Sequence, residues 1–311
     1  MNEKSRPGSG FAVWLTAVRP FAYPASIVPV ILGLSLAHCM GYAIQWWPFA
    51  LTLIGVVSFH TAANLLNDCY DHRRGIDTEI VPTSGAVVRG WLTEGQAFRG
   101  AMVCLAIGAA CGFVLVCYAG WVVLLLGLVG AVTALGYTTP RLCFKYVGLG
   151  DLAIFCAFGL LPVFGTYWVQ SRTFSWAPIL WSLPLVCYTV GILHANNWRD
   201  LANDDKKGCR TVAGMLGESG SARYYRFLVL CPFVLVGIYL LAGHLAVVGF
   251  RPPLTVALVC LALPPALKMA GPGSRRDTGA VSLLDARTAQ LQMMFGILLA
   301  LGFFLGGLAP Q

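Results

Sequence analysis

An all-α membrane protein crossing the bilayer about nine times is the fold class this sequence predicts, with its N-terminus cytoplasmic and its C-terminus outside. Three observations predict it. Hydrophobic residues make up 58% of the 311 and charged residues only 11%, against about 25% charged in an ordinary soluble domain. Apolar stretches long enough to span a bilayer recur along the whole chain. The charges collect between alternate pairs of those stretches.

A spanning helix needs roughly 20 apolar residues. Read with that ruler, the chain offers stretches near 12–37, 46–66, 99–118, 120–138, 149–169, 177–197, 226–244, 252–270 and 290–309. The first follows a positive start, as a signal peptide would. Arg19-Pro20 interrupts it and no small-residue cleavage site follows, so a retained helix is expected. The second runs into "NLLNDCYDHRRGID", Asn64 to Asp77. The fourth leads into the connector "YTTPRLCFKYVGLGD", which opens the fifth. The sixth contains Pro184 and ends in "NNWRDLANDDKKG"; the eighth contains Pro264 and Pro265. Proline is tolerated in lipid where neighbouring groups satisfy the freed backbone.

Orientation follows from the charges. If odd-numbered helices run from inside to outside, the external loops hold only Arg172 and Arg251 of the 21 Lys and Arg. Cytoplasmic enrichment of Lys and Arg is the rule for short loops. All 13 acids fall on that same side, so the chemistry is expected to face the cytoplasm. Topology therefore explains the net charge of +8, and no basic stripe interleaved with aromatics points to nucleic acid. The 11 cysteines are scattered without a C-x-x-C pair, which argues against a zinc site or a disulfide framework. They read as small apolar residues, Cys209 excepted, because it lies inside the second acidic stretch. Met, Phe and Trp read as packing or lipid-facing residues.

The acidic stretches carry the functional signal. Asn64, Asp68 and Asp71 stand at i, i+4 and i+7, so on a helix they share one face. Asn196, Asp200 and Asp204 stand at i, i+4 and i+8. One such cluster reads equally well as a solvated membrane rim, where charges gather because lipid excludes them. Two clusters with matching Asn-x3-Asp starts point to more. Carboxylates about 5 Å apart repel by roughly 3 kcal/mol at an effective dielectric near 20, so converging acids need a cation. Hard oxygen ligands suit Mg²⁺, which typically keeps waters and phosphate oxygens in its shell. Arg141, Lys145, Lys206 and Lys207 lie on the same side, and a Mg²⁺-bridged diphosphate is the natural occupant. His60 and His194 precede the two motifs as candidate auxiliary groups.

Both motifs end helices that run from outside to inside, so the chain reads as one domain, 1–311, of two parallel pseudo-repeats. Motif one spans 64–77 and motif two 196–211. This disfavours an ion-coupled membrane carrier, where inverted repeats commonly place ionisable groups near the midplane. The phosphotransferases that join lipid alcohols use a single contiguous aspartate block, so they too fit less well. A non-catalytic prenyl-lipid binding protein is the other class kept open.

The sequence resembles the intramembrane aromatic prenyltransferases, the UbiA superfamily, whose signature is N-x-x-x-D-x-x-D followed later by D-x-x-x-D. Within it the chain is most similar to the 1,4-dihydroxy-2-naphthoate prenyltransferases of menaquinone synthesis. Arg19-Pro20 and the stretch through Gly33 match their "RP…P-x-x-x-P-V…G". Asn67-Asp68, Asp71 and Gly75–Asp77 match "N-D-x-x-D…G-x-D". Residues 196–211, which include Asn197, match "N-N-x-R-D-x-x-x-D-x-x-x-G-K-x-T". The chain departs from the pattern at Asp151, where the family carries Glu, and at Cys209, where it carries Lys. Either Arg210, Lys206 or Lys207 supplies that missing charge, or diphosphate is held less firmly.

The resemblance implies a polyprenyl diphosphate whose tail lies in an apolar tunnel between helices. Asn64, Asp68, Asp71, Asn196, Asp200 and Asp204 would hold Mg²⁺, two ions bridging the diphosphate. Arg141, Lys145, Lys206, Lys207 and Arg210 would balance its charge. Tyr137 would face the allylic cation left when the C–O bond breaks, and Asn67, Asp77, Asn197, His60 or His194 would assist the acceptor. That acceptor is an aromatic quinone precursor: a dihydroxynaphthoate, attacked with loss of CO₂, or alternatively 4-hydroxybenzoate or another ring. The localisation implied is the cytoplasmic (inner) membrane.

Overall fold

The computed structural model describes residues 9–73, 85–137, 144–206, 208–244, 250–271 and 280–308. Within them all regular secondary structure is helical apart from one isolated bridge, Val147 to Arg210. The helices are α1 (Gly10–Val18), α2 (Pro24–Cys39), α3 (Trp46–Arg73), α4 (Glu94–Ala119), α5 (Trp121–Gly136) and α6 (Gly150–Ile154). They continue as α7 (Leu161–Ser171), α8 (Ala177–Arg199), α9 (Leu201–Lys206), α10 (Val212–His244), α11 (Leu263–Ala270) and α12 (Leu284–Gly307).

This is a multi-pass membrane protein. Six helices are long and apolar enough to cross a bilayer, and the pair Gly10–Ala22 and Pro24–Cys39, bent by 53°, makes a seventh if it counts as one span. The other two of the nine expected stretches are shorter apolar helices, Trp121–Gly136 and Leu254–Ala270. The second of these opens with nine residues of 3₁₀-helix, Leu254–Ala262. A 3₁₀ turn rises about 2.0 Å per residue against 1.5 Å in an α-helix, so a short segment reaches further than its length suggests.

Two breaks shape the interior. Between α1 and α2, Arg19 adopts φ 55, ψ 62, the left-handed region that a non-glycine residue enters at a cost. Pro20 follows, and a residue before proline is already disfavoured in the right-handed helix. The second break is a π-helical stretch, Phe155–Leu160, joining α6 to α7. Pro162 stands just beyond it. Its ring excludes the carbonyl four residues back, that of Phe158, and it has no N–H to give. Widening of the helix accommodates both facts.

The main core lies among α2, α7, α8, α10 and α12, where Leu32, Leu36, Tyr167, Leu185, Tyr188, Val229, Phe295 and Phe303 are buried together. A smaller cluster joins α1, α3 and α4 through Val13, Leu65, Leu66 and Ala97. Without a hydrophobic driving force between helices in lipid, close backbone approach matters more. At Gly33 a Cβ would run into the Val163 carbonyl oxygen and the Thr166 side chain. The α2–α7 contact thus requires glycine there.

Candidate active site

One face of α3 organises the site. Thr52, Gly55, Val56 and Phe59 line an apolar cavity, and Ala63, Asn64 and Asn67 line a polar one; His60 belongs to both. The spacing is that of one helix stripe. The cavities also share Ala134 of α5 and Phe158 of the π-helical stretch. The apolar cavity encloses about 920 Å³ and the polar one about 990 Å³, open mouths included. On α5, Val123, Gly127, Gly130 and Ala134 follow one another at spacings of four, three and four along the apolar wall. Built Cβ atoms at Gly127 and Gly130 meet nothing within 4 Å.

At the shared point, Ser26 Oγ and His60 Nδ1 lie 2.5 Å apart, a hydrogen bond whose direction follows the tautomer. The imidazole stands edge-on to Phe158 at 4.7 Å and to Tyr23 at 5.5 Å between centroids. His60 is thus buried and held on three sides. His194 is placed differently: it is buried, 3.2 Å from the Ser221 carbonyl through Nε2 and packed on Tyr224, and it is not in the wall of either cavity.

The polar cavity gathers six of the expected residues that the structure describes, His60 among them, and none of the described motif aspartates. Asn64, Asn67, Tyr137, Lys145 and Asn196 line it, together with Arg19 and Asp285. Asn64 Nδ2 donates to the Val18 carbonyl at 3.1 Å, capping the end of α1. Lys145 Nζ donates to Asn67 Oδ1 at 3.3 Å. The Lys145 N–H donates to the Tyr137 carbonyl at 3.0 Å, which closes the connector and brings both residues to one wall. Val147 bridges to Arg210, so the segment after motif two meets this connector. Arg210 and Lys206 themselves are exposed.

Asp68 is 1% exposed and reaches the cavity through Arg19, with which its Oδ1 is ion-paired. In motif two, backbone bonds Asp200 N–H to Asn196 O at 3.1 Å and Asp204 N–H to Asp200 O at 2.9 Å stack the three residues turn on turn. Asp200 is gripped by Arg199, Nε to Oδ1 at 2.9 Å and Nη2 to Oδ2 at 3.0 Å. The same guanidinium donates from Nη1 to Asp285 Oδ2 at 2.7 Å. Asn197 is buried and Asp204 half-buried. Asp77, Arg141 and Lys207 lie outside the described residues, and of Asp71 only the backbone, which continues α3, is described.

Two features bear on a metal. Asp68 Oδ2 is buried without a hydrogen-bond partner among the described residues, and an ionised oxygen so placed is costly unless a cation meets it. Among those residues no three His, Cys, Asp or Glu converge closely enough to form a metal cage on their own. The donor set is therefore amide oxygen of Asn64, Asn67 and Asn196 in the cavity wall, with the carboxylate of Asp285 there and those of Asp68 and Asp200 bound to arginines beside it. It fits a hard divalent cation that completes its shell with water and phosphate.

Sequence reasoning missed Arg19 and Asp285 as site residues. Arg19 was visible only as a motif residue, and its left-handed backbone, which brings it to Asp68, leaves no periodic trace. Asp285 stands alone in the first turn of α12, without a neighbour to make a pattern.

Residues 26–284 match the model of the UbiA prenyltransferase family. The 1,4-dihydroxy-2-naphthoate octaprenyltransferase of Mycobacterium tuberculosis is 31% identical over 303 residues, covering 93% of this chain and 99% of that one. UbiA prenyltransferase domain-containing protein 1 of Xenopus tropicalis is 29% identical over 296 residues, covering 94% and 82%. Among solved structures, an apo UbiA homolog from Aeropyrum pernix K1 superposes with TM-score 0.66 at 17% identity, over 90% of this chain and 97% of that chain. A UbiA homolog from Archaeoglobus fulgidus bound to GPP and Mg²⁺ gives 0.62 at 13%, over 92% and 99%. The chain belongs to the UbiA prenyltransferase family.

Proposed function

We propose that this protein transfers a polyprenyl group from polyprenyl diphosphate to 1,4-dihydroxy-2-naphthoate, with loss of CO₂, giving demethylmenaquinol. One observation carries the reading. A single face of α3 passes from a mainly apolar cavity, through His60, into a cavity whose wall also carries the amides of Asn64, Asn67 and Asn196, the cations Arg19 and Lys145, and the carboxylate of Asp285. A donor with a charged head and a hydrocarbon tail fits that division, and its breaking C–O bond falls at the shared point.

The head group is received by Lys145 and Arg19, which carry positive charge in the cavity wall, with Lys206 and Arg210 of motif two. Arg141 and Lys207, outside the described residues, belong to the same set. Mg²⁺, two ions in this reading, would when bound supply positive charge against the diphosphate and its departing oxygen. Asp68, Asp71, Asp200 and Asp204, with Asn64 and Asn196, are the groups that hold it. Tyr137 and Phe158 line the region where the allylic carbon becomes cationic, and an aromatic face turned to that carbon favours the cation. His60, oriented by Ser26, is a base at the same point for the hydroxyl proton of the acceptor. Asn67, whose Oδ1 accepts from Lys145 Nζ, and Asn197 are in this reading auxiliary groups for the acceptor.

The choice of a naphthoate is supported by the motif resemblance and by the name of the Mycobacterium relative. We place the protein in the cytoplasmic membrane as a single nine-span domain, N-terminus inside and site facing the cytoplasm. The one-sided distribution of charge supports this. The deciding experiment supplies carboxyl-labelled 1,4-dihydroxy-2-naphthoate with a polyprenyl diphosphate and Mg²⁺ to purified protein. Label is expected in released CO₂ and absent from the prenylated product. Prenylated product retaining the label overturns the naphthoate reaction, and preferential turnover of 4-hydroxybenzoate redirects the acceptor.

A further inference from the structure

Asp285 is 4% exposed and stands in the first turn of α12. Its Oδ1 accepts the N–H of Ala286 at 2.8 Å, and its Oδ2 accepts Arg199 Nη1 at 2.7 Å. The other two donors of that guanidinium hold the two oxygens of Asp200. Arg199 therefore spans two carboxylates with opposite exposures. The Asp285 side chain, at the wall of the polar cavity, is 5% exposed; the Asp200 side chain is 35% exposed.

A tether between α8 and α12 is the plainer account of this bridge, but the two helices do not need one. Leu185, Tyr188, Leu291 and Phe295 already pack them together, and Gln292 Nε2 donates to Thr189 Oγ1 at 2.7 Å. Buried ion pairs add little net stability where apolar packing is available, because desolvation offsets their attraction. What such a bridge does supply is direction. An arginine fork fixes a carboxylate in plane and in rotation, and the cluster of one guanidinium and two carboxylates keeps a net negative charge. That charge is presented through Asp200.

We propose that Asp285 is a positioning residue for the second acidic motif: through Arg199 it holds the Asp200 carboxylate in the orientation in which that group meets a divalent cation. The inference rests on the proposed reading of Asp200 as a metal ligand. Groups that orient a ligand from behind typically contribute about tenfold or more to metal affinity.

The test measures binding directly. Purified protein in detergent is titrated with Mn²⁺ in the presence of inorganic diphosphate, and free Mn²⁺ is read by electron paramagnetic resonance. Asp285→Asn is expected to weaken binding about tenfold, with Asp285→Glu recovering part of the loss. Asp200→Asn is expected to weaken binding at least as much, and Asp285→Asn combined with Asp200→Asn to bind no worse than Asp200→Asn alone, because the two act in series. If Asp285→Asn does not fold, Arg199→Lys takes its place: it keeps the charge but loses the fork, and the same weakening is expected. Unchanged affinity in Asp285→Asn or Arg199→Lys beside a weakened Asp200→Asn overturns the positioning role alone, as does full additivity in the double variant. Unchanged affinity in Asp200→Asn overturns the metal reading of that residue, and the positioning role with it.

Discussion

Arg19, at the break between the first two helices, pairs with Asp68 of α3, and the pair couples a strained backbone to a buried acid. Arg19 holds φ 55, and Asp68 is 1% exposed with its second oxygen unpartnered among the described residues. Removing one member of a buried pair leaves an uncompensated charge, which costs about 3–5 kcal/mol. Arg19→Ala is therefore expected to lower the thermal midpoint of the purified protein sharply. Combining it with Asp68→Asn should recover most of that stability, because no buried charge is left over, while activity stays lost. A double variant as unstable as Arg19→Ala would show that the ion pair is not what the helix break protects.

The four aspartates of the two motifs make a second prediction. Each of Asp68→Asn, Asp71→Asn, Asp200→Asn and Asp204→Asn keeps side-chain size and removes one negative charge from the oxygen set. A lost interaction worth about 3 kcal/mol in the transition state corresponds to roughly 100-fold in rate. Turnover is expected to fall by about that factor or more in each variant, with membrane insertion unchanged; Asp68→Asn, which leaves Arg19 without its carboxylate, is expected also to lower the thermal midpoint. Near-normal turnover at limiting Mg²⁺ in all four would remove the basis for a two-motif site.

These residues also mark how far the amino-acid sequence is legible. The spacings of Asn64, Asp68 and Asn196 are enough to put them on helices, because a helix turns regularly and the apolar runs are long; Asp200 instead caps α8 and Asp204 lies on the separate α9, a break the i, i+4, i+8 spacing does not report. Lys145 and Tyr137 are legible from their side of the membrane and the connector between them. Phe158 is not, because it faces the cavities from a π-helical stretch that Pro162 enforces, and no helical periodicity reports such a widening. Asp285 escapes notice because its partner is 86 residues away in sequence. The span count suffers from the same blindness. Apolar length alone does not separate a full crossing from the bent α1–α2 pair or from the 3₁₀ segment at Leu254–Ala262.

Sidedness supplies a third prediction. Ala43 and Ser219 are both exposed, and the charge distribution puts them on opposite faces of the membrane. In a background depleted of the 11 native cysteines, Ser219→Cys is expected to react with an impermeant thiol reagent only from the cytoplasmic side. Ala43→Cys should react only from outside. The reverse pattern would invert the orientation, and labelling of both from one side would change the number of crossings between them.

The last prediction concerns the length of the donor. Gly127 and Ala134 are seven residues apart on α5, which at 1.5 Å per residue is about 10 Å. Ala134 stands where the two cavities join and Gly127 stands down the apolar wall, its built Cβ facing open space. A five-carbon dimethylallyl tail starting at the junction stops short of Gly127, whereas a long polyprenyl tail must pass it. Filling that space with Gly127→Phe is expected to penalise only the long donor. Overpacking costs about 1–3 kcal/mol, so kcat/KM for a polyprenyl diphosphate should fall about tenfold or more. With dimethylallyl diphosphate it should change less than about twofold, because the head-group cavity and the junction at His60 and Phe158 are untouched. Equal losses on both donors would indicate a general disturbance of α5, and no loss on either would show that the tail leaves the protein before it reaches Gly127.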